Sequence, residues 1–427
     1  MSTLGKHTMI QKIGPKALGV LWTLAFAVGA WAVVQRLLLG HELANYGSYV
    51  VWGLWVSAYI YFIGLSAGAF LLSSLIYVFA SKELEKIGKL SLLVAVVTLV
   101  MALLSIWFDL GHMERFYFIY TRPNFRSMMA WMVWLYTAYF LLLLAETWFA
   151  LRADLARWSA SDGWRRFIAN LLLFGRTSLT ERSQAWDRMV LRLLGSLGIP
   201  LAIAFHGGVG ALFGTVVARP YWHTPLYPIM FLTGALVSGG ALMTATVAFF
   251  WPKQDPKYAV MVQRLGQIVL MILLFDLLLE WAEFSIPMWY GVGPEYELLQ
   301  KVLFGPFWWV FWVLHLLLGS LIPIVLLVTR AKKPFWVGIA GGLIATTFMA
   351  VRLNIVVPGL IEPQLRGLEE AYQNPRLLFE YVPSLFEWQV VLFIVSLGFG
   401  LFYLGYRLLP LVEPAPDSSR VKRGRAP

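Results

Sequence analysis

WGLWVSAYIYFIGLSAGAFLLSS, residues 52–74, carries an aromatic entry, a run of small residues and no charged side chain. About 20 apolar residues in a helix cross a hydrocarbon core about 30 Å thick. Lipid admits only structures that satisfy their own backbone, which are helices or a closed barrel. The stretch therefore predicts a membrane-spanning helix over roughly 50–80. Working outward, nine more stretches of the same kind appear, at roughly 17–39, 90–111, 128–151, 190–217, 226–250, 262–282, 303–329, 335–357 and 384–410.

Charge orients them. With the N-terminus placed inside, the inner segments and helix ends hold 25 of the 34 basic residues and the outer ones nine. That asymmetry predicts both termini on the cytoplasmic side. The surplus sits in Lys6, Lys12, Lys16, Lys82, Lys86, Lys89, the segment 152–192 and the tail. Net charge +11 therefore reads as inner loops facing anionic lipid rather than as a nucleic-acid surface. The run from Ala17 to Leu39 exceeds the apolar core of a signal peptide and reads as a retained first helix. With no cysteine, the chain can hold no thiolate-bound cluster, disulfide or covalently attached haem.

SKELEKIGK (81–89), the long segment 152–189, WPKQDPK (251–257) and TRAKKP (329–334) read as inner connections, and the tail SSRVKRGRAP as disordered. The outer loops are aromatic, proline-containing and acidic, and large enough for a docking surface: 112–127, 218–228, 284–297 and 358–384. The expected fold is all-α. Two four-helix bundles (helices 2–5, within 50–225, and helices 6–9, within 226–360) are flanked by helix 1 (segment 1–49) and helix 10 (with its outer loop, 361–410), ahead of a basic tail, 411–427. Gly64, Ser66, Ala67 and Gly68 in helix 2, and Gly234, Gly239 and Gly240 in helix 6, permit close backbone approach.

Ionisable groups in hydrocarbon are costly, so each carries a functional hypothesis. Asp109 ends helix 3, and His112 lies three residues on, on the same face if the helix continues one turn; such a pair exchanges protons with a ligand oxygen. The alternative is a helix end solvated by headgroups and pinned to Arg115 or Arg126. His206, in PLAIAFHGGVGALFG, is followed by glycines that leave room for a planar ring; the alternative is a buried imidazole satisfied by a neighbouring carbonyl. Tyr59 lies at similar depth with Trp52 and Trp55 on nearby turns, placed to donate to a quinone carbonyl or to bond a neighbouring helix. Asp276, Glu280 and Glu283 form a carboxylate stripe with Arg352 as the expected counter-charge, either a structural network or a stretch of proton path. Glu146 reads as snorkelling at the inner end of helix 4. Of the histidines, His206 and His315 lie inside helices but in different halves, which argues against a haem held by two of them.

The chain resembles the NrfD/PsrC family, the membrane subunits of polysulfide-reductase-type complexes. The resemblance rests on 52–74, on FDLGHMERFYFIYTRPNFRSMMAWMVW (108–134) and on 206–242. RLNIVVPG and the closing helix match the ten-helix branch, which includes the membrane subunits of periplasmic nickel–iron hydrogenase and of the sulfite-reductase-associated DsrMKJOP complex. It implies a menaquinone or ubiquinone site near the outer surface of the first bundle, in a bacterial or archaeal cytoplasmic membrane. It also implies electron exchange with an extracytoplasmic, four-cluster ferredoxin-like iron–sulfur subunit, itself joined to further catalytic or cytochrome subunits of an anaerobic respiratory or sulfur-metabolising oxidoreductase. His206 falls where eight-helix members place a quinone-bonding tyrosine, Tyr59 where they place a histidine, Val56 where they place an asparagine, and Asp109 at their acidic helix end.

The expected site is therefore His206, Tyr59 and Trp55 for the quinone, with Asp109 and His112 handling protons and Asp276, Glu280, Glu283 and Arg352 as a proton route. No metal or haem is expected in the chain itself. The rival readings are a secondary transporter, with Pro200 and Pro323 as helix breaks, and an anchor without a quinone site.

Overall fold

A computed structural model describes residues 3–79, 85–365, 367–371, 374 and 376–411. The basic tail from 412 and Lys82 lie outside them, as do the side chains of Lys6 and Lys12. Among the described residues every regular element is a helix, and ten of the helices are long and apolar enough to cross a membrane. These are α1 (Thr3–Leu39), α2 (Leu54–Phe79), α3 (Gly88–Asp109), α4 (Met128–Ser159), α6 (Glu181–Gly214), α7 (Tyr227–Phe250), α8 (Tyr258–Tyr290), α10 (Val310–Thr329), α11 (Pro334–Ile361) and α12 (Leu385–Leu408). Two helices of ten and eleven residues, α5 (Trp164–Leu173) and α9 (Pro294–Phe304), lie between spans, beside single-turn helices at Phe118–Thr121 and Leu368–Ala371. The first part of α10, Val310–Leu321, is π-helical, a rare geometry that favours functional positions.

Going around the first half, α2 packs on α3, α3 on α4, α4 on α6, and α6 back on α2. In the second half α7 packs on α8 and α11, and α11 on α10. The halves meet where α2 lies along α7. That seam depends on the glycines: a Cβ on Gly68 would stand 2.8 Å from the Gly239 Cα, and one on Gly239 would stand 2.6 Å from the Gly68 Cα. Helix association in lipid draws on such close packing, because apolar burial adds little there. α1 lies against α12, and α12 against α3, so both outer helices share one flank. Gly29 lets α1 approach the Phe393 backbone, and Trp22 Nε1 donates to the Ser396 carbonyl at 2.8 Å.

Each side of the molecule is tied by ion pairs. On the basic side Lys86 meets Asp255 at 2.9 Å and Lys89 meets Asp154 at 2.6 Å, while buried Arg152 is bidentate to buried Asp187. On the opposite side Lys301 meets Glu362 at 2.5 Å. The connection between the halves is anchored there by Trp222, 2% exposed, which donates to the Ile355 carbonyl at 2.8 Å.

Candidate functional site

His206 lies eight residues from the opposite-side end of α6, about 12 Å along the axis. It is fully buried at the α2–α6–α7 seam, and neither ring nitrogen has a hydrogen-bond partner. The Phe231 carbonyl is nearby, outside strict bonding geometry, and is the one candidate partner for the ring among the described residues. Space beside the ring is set by glycines. A Cβ on Gly64 would meet His206 Cε1 and Ser238 Oγ at 3.7 Å, and one on Gly207 or Gly208 would meet its nearest neighbour at 3.8 Å, all ordinary contact, so the free room is that of a methyl group. Phe205 stands perpendicular to the imidazole, with ring centres 5.7 Å apart.

A chain of aromatic contacts leads from there to Tyr59. Phe205 touches Tyr136 at 5.4 Å and Tyr139 at 4.5 Å between ring centres. Tyr59 donates its hydroxyl to Tyr136, which leaves the Tyr136 proton without a described acceptor, and Tyr139 bonds Ser66 at 3.0 Å. Tyr136 and Tyr139 escape a sequence reading because an i, i+3 tyrosine pair on one helix face looks like interfacial belt. Trp55 is fully buried and its Nε1 donates to the Glu387 carbonyl at 3.1 Å, so its polar atom is committed to α12. Glu146 is also fully buried, with both carboxyl oxygens unpartnered, and does not snorkel. α4 continues to Ser159, so position 146 lies inside the helix packing rather than at its end.

Asp109 and His112 are not brought together. α3 ends at Asp109, Leu110 is extended, and His112 turns outward to pair with exposed Glu114 at 3.1 Å. Nor is Asp109 pinned to Arg115, which faces Glu114. One Asp109 oxygen, Oδ1, is buried without a partner, and the carboxylate faces the Tyr46 hydroxyl. Around it, Arg36 caps the end of α3 by donating to the Phe108 and Leu110 carbonyls at 2.8 and 2.6 Å, and also donates to His41 at 3.2 Å. Burial, reinforced by the Arg36 charge, pushes the His41 imidazole down to about 4. The Tyr381 and Tyr46 hydroxyls accept from the Leu54 and Trp55 amides at 2.8 and 3.2 Å, capping the start of α2. Burial raises both phenols above their ordinary range. A cavity of about 780 Å³, lined by His41, Asn45, Tyr46, Arg376 and Tyr381, opens beside this cluster.

The second-half carboxylates do share one face, but their partners differ from the expectation. Asp276 accepts from Thr233 at 2.5 Å, Glu280 meets His315 Nε2 at 2.7 Å, and Glu283 accepts from Thr224 at 3.2 Å. Arg352, 2% exposed, lies 4.5 Å from the Phe231 ring centre and 5.1 Å from that of Phe348. It makes no ion pair within 4 Å with the three carboxylates among the described residues, and one guanidinium nitrogen donates to the Phe231 carbonyl, but its charge still couples to that of Asp276. His315, in the π-helical stretch, joins the row instead. Among the described residues no group of three or more His, Asp or Glu is placed to hold a metal ion.

Comparison with known proteins agrees with this architecture. The family model described as polysulphide reductase, NrfD, matches residues 42–364. A selenate reductase subunit from Mesobacillus selenatarsenatis is 37% identical over 90% of this chain and 91% of its own. The Hdr-like menaquinol oxidoreductase integral membrane subunit of Archaeoglobus fulgidus is 27% identical, with 93% of each chain covered. The menaquinone reductase integral membrane subunit of Nitratidesulfovibrio vulgaris is 22% identical over 92% of this chain and 91% of its own. With ten apolar helices and membrane subunits of oxidoreductases as relatives, this is a multi-pass membrane protein of the kind that anchors redox complexes, and it belongs to the NrfD family.

Proposed function

We propose that this chain is the quinone-reactive membrane subunit of a respiratory oxidoreductase, holding a quinone headgroup beside His206. The observation that carries this reading is the orphaned imidazole. Each unpartnered buried polar atom costs about 1–3 kcal/mol, yet both ring nitrogens of His206 are left so, at a seam where Gly64 carries no side chain against the imidazole. Those features fit a flat ring with two carbonyl oxygens. His206 would hold a proton at one oxygen, and the spare Tyr136 hydroxyl proton, set by Tyr59, is the nearest further donor along the aromatic chain. A bound quinol would supply electrons and protons together. The chain has no cysteine for an iron–sulfur cluster, so the electrons would leave to a docked iron–sulfur subunit, with the large opposite-side loops as its platform.

Asp109 and the Glu280–His315 row are the protein's own groups for moving protons toward that side, the former through Tyr46 and the cavity beside His41. The relatives named for menaquinol and menaquinone chemistry support menaquinone as the substrate. The test is His206→Ala in the assembled complex. Quinol-coupled turnover should fall about tenfold or more, a loss of at least about 1.4 kcal/mol of transition-state stabilisation, while the complex still purifies intact. Unchanged turnover in an intact complex would leave the chain an anchor only.

A further inference from the structure

The basic side holds a built pocket that the quinone reading does not use. Trp148, Phe149, Trp186 and Met189 form its apolar wall, and Arg152, Arg176 and Arg182 its charged rim, around about 510 Å³. Arg152 is committed to Asp187 and to the Ser178 carbonyl, which fixes the floor. The guanidiniums of Arg176 and Arg182 have no hydrogen-bond or ion-pair partner among the described residues. Depth places this pocket at the membrane boundary: Trp148 is twenty residues into α4, about 30 Å from its opposite-side end, one hydrocarbon thickness. Trp148 Nε1 donates to the Leu172 carbonyl at 2.8 Å, which pins α5 at the same level. Trp164, Phe167 and Leu171 recur at i, i+3 and i+7, so one apolar face of α5 is exposed, with Phe167 at 70%, and Phe174, left-handed just past the helix end, is 82% exposed. Buried Ala169 and Leu173 hold the other face to the protein. Arg165 is drawn back over Trp158 and Trp164, at 5.2 and 5.7 Å.

We propose that α5 lies in the membrane interface and that the pocket behind it binds one anionic phospholipid of that leaflet. Its phosphate would sit on Arg176 and Arg182, and its chains along Trp148, Met189 and the exposed face of α5. Two uncommitted guanidiniums beside an apolar wall favour a headgroup of net negative charge over phosphocholine, whose phosphate is offset by its own quaternary ammonium. The full chain, purified in a mild detergent, would be titrated with phosphatidylglycerol and with phosphatidylcholine of equal chain length, and bound lipid counted by native mass spectrometry. Phosphatidylglycerol should be retained at about tenfold lower concentration, a preference worth about 1.4 kcal/mol. Arg176→Gln with Arg182→Gln should abolish the preference at unchanged helix content, and Phe167→Gln should weaken both lipids alike. Equal retention of the two lipids, or a preference that survives in the double variant, would overturn the proposal. Displacement of the lipid by millimolar inorganic phosphate would also overturn it, because the site would then be one for free phosphate.

Discussion

Gly64 and Gly68 stand one turn apart on α2, and the structure gives them opposite fates on replacement by alanine. A Cβ on Gly68 would run into the Ala235 carbonyl, its oxygen first and its carbon at 3.0 Å, and would sit 2.8 Å from the Gly239 Cα. Carbon atoms rest at about 3.5–4.0 Å, so α2 and α7 would have to part by close to an ångström. Both obstacles are backbone, which no rotamer change relieves. Overpacking of this kind costs about 1–3 kcal/mol, against which alanine gains about 1 kcal/mol in helix propensity. With rigid neighbours the upper part of the range applies, so Gly68→Ala should destabilise by about 1–2 kcal/mol, a factor of roughly 5–30 in the unfolding equilibrium. Gly64→Ala meets His206 Cε1 and Ser238 Oγ at 3.7 Å, ordinary contact, and should be neutral or up to about 1 kcal/mol more stable. Its new methyl takes up the space beside the imidazole, so quinol turnover should fall about fivefold or more, with a raised KM. Stability is read from denaturant titrations in mixed micelles by tryptophan fluorescence, and turnover from the assembled complex. Wild-type stability for Gly68→Ala, or equal destabilisation by the two variants, would refute the seam geometry.

Asp187→Asn strands the buried Arg152 guanidinium and should cost about 3–5 kcal/mol in the same titration, whereas replacing both partners by apolar residues should recover most of it. His41 titrates at about 4 when folded, against an ordinary 6.5. Between those values the unfolded chain holds a proton that the folded chain refuses, so stability should fall as pH drops through 6.5 and level off near 4. His41→Gln, which can still accept from Arg36, should flatten that part of the stability profile. Glu280→Gln removes the charge facing His315; proton release in sealed vesicles should slow about threefold or more while detergent-solubilised electron transfer changes less, and equal slowing of both would remove the row from any proton route.

The ten spans are legible because each apolar run must fill the bilayer. Their ends are not, since a helix that has left the hydrocarbon gives no apolar signal. α4 runs through Arg152 and Arg157 to Ser159, α6 begins at Glu181 and carries Arg182 and Arg188, and α8 extends to Tyr290, all beyond the predicted limits. The seam is readable too, because small residues at four-residue spacing have few other uses in a membrane helix. Partnerships are not. Asp109 meets Tyr46 and the neighbourhood of Arg36, Tyr381 and Glu387, groups separated from it by tens to hundreds of residues. The helix stop at Leu110, where the backbone turns extended, decides that His112 faces away. Arg352 is the obvious counter-charge from sequence, but the two phenyl rings that flank it, with its charge coupled to Asp276 at longer range than an ion pair, are not legible there.

The widened stretch Val310–Leu321 sets the rotational phase of α10. Its looser winding, closing to the residue five along rather than four, presents His315 toward Glu280 while Pro323 and Leu327 still seat against their own neighbours. Removing one residue from 316–321 would let the coil tighten to ordinary α geometry and swing the two ends relative to each other by about 100°. α10 could then keep its footing on the basic side or its imidazole in the carboxylate row, but not both. Insertions and deletions in this stretch should therefore be far less tolerated than substitutions.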